Sequence, residues 1–235
     1  MKIIVFIFAR GGSKGLKNKN LLKINGKSLL GHSITQAKKI KFIKKIFVST
    51  DSTKIKKEAL KFGAEVPFKR PKKLATNKSP EYLSWRHAVN YLKNKMNIKP
   101  DFIVSLPTTS PLRKKQDIQK CINLAKKKNL DLVLGITKSS KNPFFNIMIK
   151  KNNKYFKFSD LLTRKFQEKK LIFRRQDAPK TYDLTTVCYV FKPSYVIRSK
   201  NMFSGKIGYV EIPKERSIDI DDVLDLKIAK LLLKK

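Results

Sequence analysis

Short apolar runs alternate regularly with stretches of helical periodicity along this chain, a pattern that few folds accommodate. Residues 2–9 form an apolar run that ends at Arg10 and leads straight into Gly11-Gly12-Ser13-Lys14-Gly15. Leu30, Ile34 and Ala37 then recur at helical spacing, which predicts a helix from about Ser28 to Phe42. Further strands are predicted at Ile46–Ser49, Phe102–Leu106 and Leu132–Ile136. Between them lie helices marked by Ile55, Ala59 and Phe62, over 80–95, and near 117–128. This β–α order predicts an α/β fold whose mostly parallel sheet is covered by helices on both faces. The rhythm breaks near Ser139. Residues 139–182 are rich in Lys, Phe and Asn with weak periodicity, and are expected to form an excursion, a small lobe or oligomer arm, from a single domain spanning 1–235. Strands return at Val187–Phe191 and Gly208–Ile212. A last helix starts near Asp222, with Leu224, Ile228, Leu231 and Leu232 expected to face the core.

Composition removes several function classes. With 41% hydrophobic residues the chain can build a core, so it is not a disordered polycation despite a net charge of +38. Its lysines are spread along the whole chain and do not form one block, which favours a solvated, compositionally biased surface over one built to hold nucleic acid. In either case the field attracts polyanionic small substrates such as nucleoside triphosphates. Cys121 and Cys188 are far apart in sequence and form no CxxC pair, so a disulfide framework or zinc site is not expected. His32 and His87 are isolated and are expected to be structural or exposed. The run Ile3 to Ala9 is too short for a signal segment and far too short to span a bilayer, so a cytoplasmic protein without membrane contact is expected.

Three stretches have the composition of a working site. The run RGGSKGLKNKN at 10–20 follows the first strand, where ligands bind in open α/β sheets. Gly11 and Gly12 would let the backbone approach a phosphate, while Arg10, Lys14 and Lys19 bring positive charge to a triphosphate that carries about four negative charges. A tight turn with solvated lysines is the plainer alternative. Gly26-Lys27-Ser28 does not complete a Walker A loop, because Leu21 stands where that motif needs glycine, and Asn25-Gly26 predicts a turn. The second stretch is Ser217 to Asp222. Alternation puts Asp219 and Asp221 on one face of an extended segment, a pairing suited to Mg²⁺, while helix capping is the competing use for Asp221 or Asp222. The third, Pro107 to Arg113, offers Thr108, Thr109 and an arginine to a polar sugar or phosphate, or else forms a proline-rich turn.

Taken together, these runs resemble the acylneuraminate cytidylyltransferases, also called CMP-sialic acid synthetases. The matching pieces are ARGGSKGLKNKN at 9–20, VSTD at 48–51, RPKKLAT at 70–76, TSPLR at 109–113, RRQDAP at 174–179 and SIDIDDVLDLKIA at 217–229. The resemblance implies a Rossmann-like nucleotidyltransferase fold, a homodimer, CTP as co-substrate and Mg²⁺ as cofactor. It implies that Arg10, Ser13, Lys14, Lys19, Asn20 and Arg70 hold the nucleotide and that Asp219 and Asp221 hold the metal, with Arg10, Lys14, Lys19 and Asp221 closest to the chemistry. It also implies that the excursion is a dimerisation arm reaching the partner's site, and that Arg175 and Gln176 lie near the sugar. Two departures bear on the acceptor. Pro107 stands where common members carry Gln, and Asp183-Leu184-Thr185-Thr186 replaces an Arg-Pro-Asn-Gly-like stretch. They predict a nine-carbon acidic sugar other than plain N-acetylneuraminate. The competing readings are a cytidylyltransferase for the eight-carbon sugar Kdo, an enzyme activating a non-sugar alcohol, and a basic nucleic-acid-binding protein.

Overall fold

A computed structural model describes residues 1–13, 15–143, 146–150, 156–158 and 174–234. The chain divides into two compact units, one comprising Met1–Ile136 with Leu184–Lys235 and the other Thr137–Asp183.

In the larger unit, β1 (Ile3–Phe8) is buried along its full length. Its two faces feed two cores, as the period of a strand requires. Ile3, Val5 and Ile7 point into a layer with α1 (Leu29–Lys38), α2 (Thr53–Lys61) and α4 (Lys115–Lys127). Ile4, Phe6 and Phe8 point into a second layer with α3 (Glu81–Lys95) and α5 (Pro193–Arg198). The other strands are β4 (Lys45–Ser49), β5 (Phe102–Ser105), β6 (Leu132–Lys138), β9 (Tyr182–Phe191) and β10 (Ile207–Glu211). They complete a six-stranded sheet in the order β10-β6-β9-β5-β1-β4. β1 is parallel to β4 and β5, and β10 is parallel to β6. β9 runs antiparallel to β5, a reversal that the β–α rhythm of the sequence did not announce.

A short hairpin joins β2 (Lys23–Ile24) to β3 (Lys27–Ser28). Asn25 and Gly26 both have positive φ, 49° and 75°, as a two-residue turn of this hand requires. Ser28 then caps α1, its Oγ accepting from the Gly31 amide at 3.0 Å. Helix α1 stops at Lys38, short of the predicted Phe42, because the chain turns to bury Ile40.

The final helix α6 (Val223–Leu233) corrects the sequence reading most clearly. Leu224 and Leu231 are 63% and 64% exposed, whereas Leu226, Ala229, Leu232 and Leu233 pack with Leu16, Ile24, Leu29 and Ile220. A helix that is apolar on nearly every side gives no single face to read, and the docking of Ile220 just before it sets its rotation. Cys121 on α4 and Cys188 on β9 are both free and buried, and they meet in the first core layer. Burial, and then a hydrogen bond with Cys121, hold the Cys188 thiol well above its ordinary range.

In the smaller unit, β7 (Met148–Lys150) pairs antiparallel with β8 (Phe156–Phe158). Arg174 pairs with Asp177 at 2.8 Å, and the Asn142 side-chain amide donates to the Pro179 carbonyl at 3.1 Å. Among the described residues no helix is long and apolar enough to cross a membrane.

Candidate active site

A cavity of about 510 Å³ opens where β1 and β5 end, and Phe8 and Pro107 to Thr109 form part of its wall. This is the carboxyl edge of the sheet, where side chains from successive loops converge. A larger cavity of about 650 Å³ lies at the opposite edge, beside Ile103 and Asp101, and is mostly apolar. Arg10, Ser13, Lys19, Asn20, Thr108, Thr109, Asp219 and Asp221, all singled out in the sequence, collect in the smaller one.

The loop after β1 contributes Arg10, Ser13, Gly15, Lys19 and Asn20 to that cavity. Its shape is fixed by contacts with neighbouring segments. The Gly11 amide donates to Asp51 Oδ1 at 2.8 Å, so this N–H anchors the loop to the VSTD stretch and is not presented to a ligand. Gly12 is exposed, with open space around it. Asn18 takes the left-handed conformation at φ 55°, a position Asn tolerates better than most residues. Asn20 is buried and ties three segments together: its Nδ2 donates to the Arg10 carbonyl at 2.8 Å, and its Oδ1 accepts from the Thr108 hydroxyl. Arg10 Nη1 donates to Asn77 Oδ1. Gly15 has no room for a side chain, since a Cβ there would lie 2.5 Å from the Asp221 carbonyl oxygen. The basic loop and the acidic segment are therefore packed backbone to backbone. Lys14 lies outside the described residues.

The acidic segment adopts the predicted alternation. Ile220 is fully buried and its amide donates to the Thr109 carbonyl at 2.9 Å, which leaves Asp219 and Asp221 on the cavity. Asp221 Oδ1 pairs with Lys19 Nζ at 2.9 Å. Asp219 Oδ1 is buried and has no hydrogen-bond partner among the described residues. Asp222 caps α6 by accepting from the Asp225 amide at 2.9 Å, and Asp225 accepts in turn from the Asp221 and Asp222 amides. Capping and cavity lining are thus divided among neighbouring aspartates. Among the described residues no three acidic, His or Cys side chains gather to cage a metal. An unpaired buried carboxylate oxygen beside a second carboxylate fits Mg²⁺, which takes one or two protein carboxylates and completes its shell with phosphate oxygens and water.

Two arginines behave differently from their sequence reading. Arg70 is only 5% exposed; it donates from Nε to Ser49 Oγ at 3.1 Å and from Nη2 to the Ser49 carbonyl at 2.7 Å. Its guanidinium stacks near the Phe8 ring at 5.7 Å and is not among the groups lining the cavity. Burial lowers its pKa to about 10 against the pull of Glu81 and Asp51, so it remains a cation at neutral pH. Arg113 is 1% exposed and bonds Ser33 Oγ at 3.0 Å, the Pro107 carbonyl, and the Thr186 carbonyl at 3.2 Å. It braces the cavity wall from behind and cannot meet a sugar or phosphate. Thr109 and Ser110 complete that wall through Thr186, at 3.2 and 2.7 Å.

Nothing in the sequence marks Glu81 as a site residue. It opens α3 after Pro80, where an acidic residue usually serves only the helix dipole. Here it lines the cavity. Its Oε1 accepts from Trp85 Nε1 at 2.9 Å and from Ser105 Oγ at 3.1 Å. The residue is exposed at the helix start, but its carboxylate is enclosed between Trp85 and Ser105, where desolvation raises its pKa against those two hydrogen bonds and Arg70. Arg175 and Gln176 belong to the smaller unit, where Gln176 lies beside Pro179 and Lys180.

Residues 4–234 match the family model described as Cytidylyltransferase. The chain belongs to the cytidylyltransferase family. This cytidylyltransferase is 35% identical over 234 residues to the CMP-N,N'-diacetyllegionaminic acid synthase of Campylobacter jejuni, covering 99% of this chain and 95% of that protein. It is 33% identical over 234 residues to the post-translational flagellin modification protein B of Campylobacter coli, covering 100% and 96%. The solved structure of CMP:2-keto-3-deoxy-manno-octonic acid synthetase complexed with CTP shares its fold, with a TM-score of 0.72 at 16% identity, covering 100% of this chain and 99% of that one.

Proposed function

We propose that this cytidylyltransferase activates a nine-carbon acidic sugar of the diacylated legionaminate type with CTP, releasing pyrophosphate. The observation that carries the reading is the convergence of Arg10, Lys19, Asp219 and Asp221 on one cavity at the carboxyl edge of the sheet. That arrangement suits in-line displacement at phosphorus, where positioning and charge neutralisation do most of the work. The anomeric hydroxyl of the sugar attacks the α-phosphorus of CTP and gives up its proton to water, a new O–P bond forms, and the α–β bridging P–O bond breaks to release pyrophosphate. Arg10 and Lys19 neutralise the growing charge on pyrophosphate, and Lys14 belongs to the same basic loop. Lys19 exchanges Asp221 for phosphate as the nucleotide enters. Asp219 and Asp221 would hold Mg²⁺, which when bound neutralises phosphate charge and orients the triphosphate.

Support for the acceptor comes from Pro107 and from the relative that makes CMP-N,N'-diacetyllegionaminic acid. Pro107 brings no side-chain amide to the cavity wall, so a sugar needing one there would leave polar groups unpaired. Pyrophosphate release with N-acetylneuraminate, its deaminated analogue and diacetyllegionaminate tests this directly. The legionaminate is expected to have the highest kcat/KM, and a clear win for N-acetylneuraminate would refute the assignment. The unit Thr137–Asp183 is read as a dimerisation arm that brings Arg175 and Gln176 to the sugar of the partner. Sedimentation at assay concentration is expected to give twice the chain mass, and a monomer with full activity would remove the arm from the mechanism.

A further inference from the structure

The cavity of about 650 Å³ at the opposite edge of the sheet takes no part in the proposed reaction. Its floor is Leu92 and Ile103, both fully buried, and its sides include Val89, Ile98 and Ile197, the last 42% exposed at the mouth. Every apolar residue of the lining is aliphatic or proline. Its charged groups lie towards solvent. Lys93 and Lys99 are exposed and form no ion pair among the described residues. Arg198, also exposed, donates from Nε to the Ser194 carbonyl at 3.3 Å. Lys192 is committed to Asp131 at 3.6 Å and to the Asn129 carbonyl at 2.8 Å. The one acidic group of this lining, Asp101, accepts from the Lys2 amide at 2.6 Å.

These walls suit few ligands. A nucleobase finds no ring to stack on, and a sugar finds no buried polar side chain to pair with its hydroxyls. A peptide strand finds no open edge, because Ile103 belongs to β5, which lies between β9 and β1. A flexible aliphatic body with an anionic end matches both the walls and the charge. Lysines are spread over the whole chain, so the cations alone select nothing. The selection lies in their placement around an aliphatic recess. We infer that the recess between α3 and α5 binds a free single-chain aliphatic carboxylate, its chain on Leu92, Ile103 and Ile197 and its acid group facing Lys93, Lys99 and Arg198.

Calorimetric titration of the full chain with dodecanoate, kept below its micelle concentration, tests the site without any turnover. Decanoate is expected to bind about 10-fold more weakly than dodecanoate, for the two methylenes lost. Dodecyltrimethylammonium is expected to bind at least about 10-fold more weakly, because its end charge is reversed. Ile197→Glu sets a carboxylate in the mouth and Lys99→Glu reverses a rim charge, and each is expected to weaken dodecanoate about 10-fold or more. Lys57→Glu, exposed on α2 across the sheet, makes the same charge change as Lys99→Glu and is expected to leave the affinity within about twofold. A melting transition like that of the wild type is the folding control for each variant. Equal losses in Lys57→Glu and Lys99→Glu, or no dependence on chain length, would reduce the effect to general attraction by the net charge of +38 and overturn the site. Binding to phosphatidylglycerol vesicles with none of monomeric dodecanoate would give this face to a membrane surface and overturn it equally. Each of these outcomes leaves the proposed reaction, read by pyrophosphate release, standing.

Discussion

Asp219→Asn is expected to leave a folded protein whose kcat/KM has fallen by roughly 100- to 1,000-fold, the scale of losing a group that stabilises transition-state charge. The carboxylate has one buried oxygen with no hydrogen-bond partner among the described residues and shares its cavity with Asp221 and Lys19. Leaving a buried acceptor unsatisfied costs about 1–3 kcal/mol, and a site bears such a cost where a ligand later supplies the partner. The substitution also gives a readout that does not depend on turnover. A cation that binds the folded state raises its stability by mass action, so Mg²⁺ in the presence of CTP is expected to raise the melting temperature of the wild type. The same addition is expected to leave Asp219→Asn where CTP alone puts it. An equal Mg²⁺-dependent shift in both proteins, with activity retained, would reduce Asp219 to a structural residue.

Arg113→Met is expected to lower unfolding free energy by about 3 kcal/mol or more, because two backbone carbonyls and a buried hydroxyl lose a charged donor. Those acceptors are Pro107, Thr186 and Ser33, on three separate segments. Domains of this kind are stable by only about 5–15 kcal/mol, so the urea midpoint is expected to move far. Arg113→Lys is not expected to rescue it, since a single ammonium cannot reproduce the planar fork that reaches all three. Catalysis would fall as a consequence, because Thr108 and Thr109 hang from the segment that Arg113 braces. A variant with a wild-type midpoint and a raised KM for one substrate would show instead that the guanidinium meets ligand.

The contrast between Arg113 and Asp219 marks where sequence reasoning holds. Local pattern alone gives β1, the basic loop, the alternation of Asp219 and Asp221 and a capping aspartate at 221 or 222, since each depends on residues within a few positions of one another. The period of a strand is enough to put two aspartates on one side of a buried Ile220. Asn25-Gly26 likewise carries its own turn geometry. The use of a polar side chain depends on what the rest of the chain brings to it. Arg70 and Arg113 look like ligand-binding cations in sequence, yet each lies among carbonyls and hydroxyls supplied from other segments. Glu81 looks like an ordinary helix start until Ser105 and Trp85 fix it on the cavity. The exposed Leu224 and Leu231 make the same point for packing, because a helix whose leucines are spread around most of its circumference takes its orientation from its neighbour. The layered α/β architecture and the charged loops at its carboxyl edge follow from periodicities and turn preferences that act within a few residues. The antiparallel β9, the bracing arginines and the place of Glu81 emerge in the folded chain alone, because burial and hydrogen-bond partners are set by contacts between residues distant in the chain.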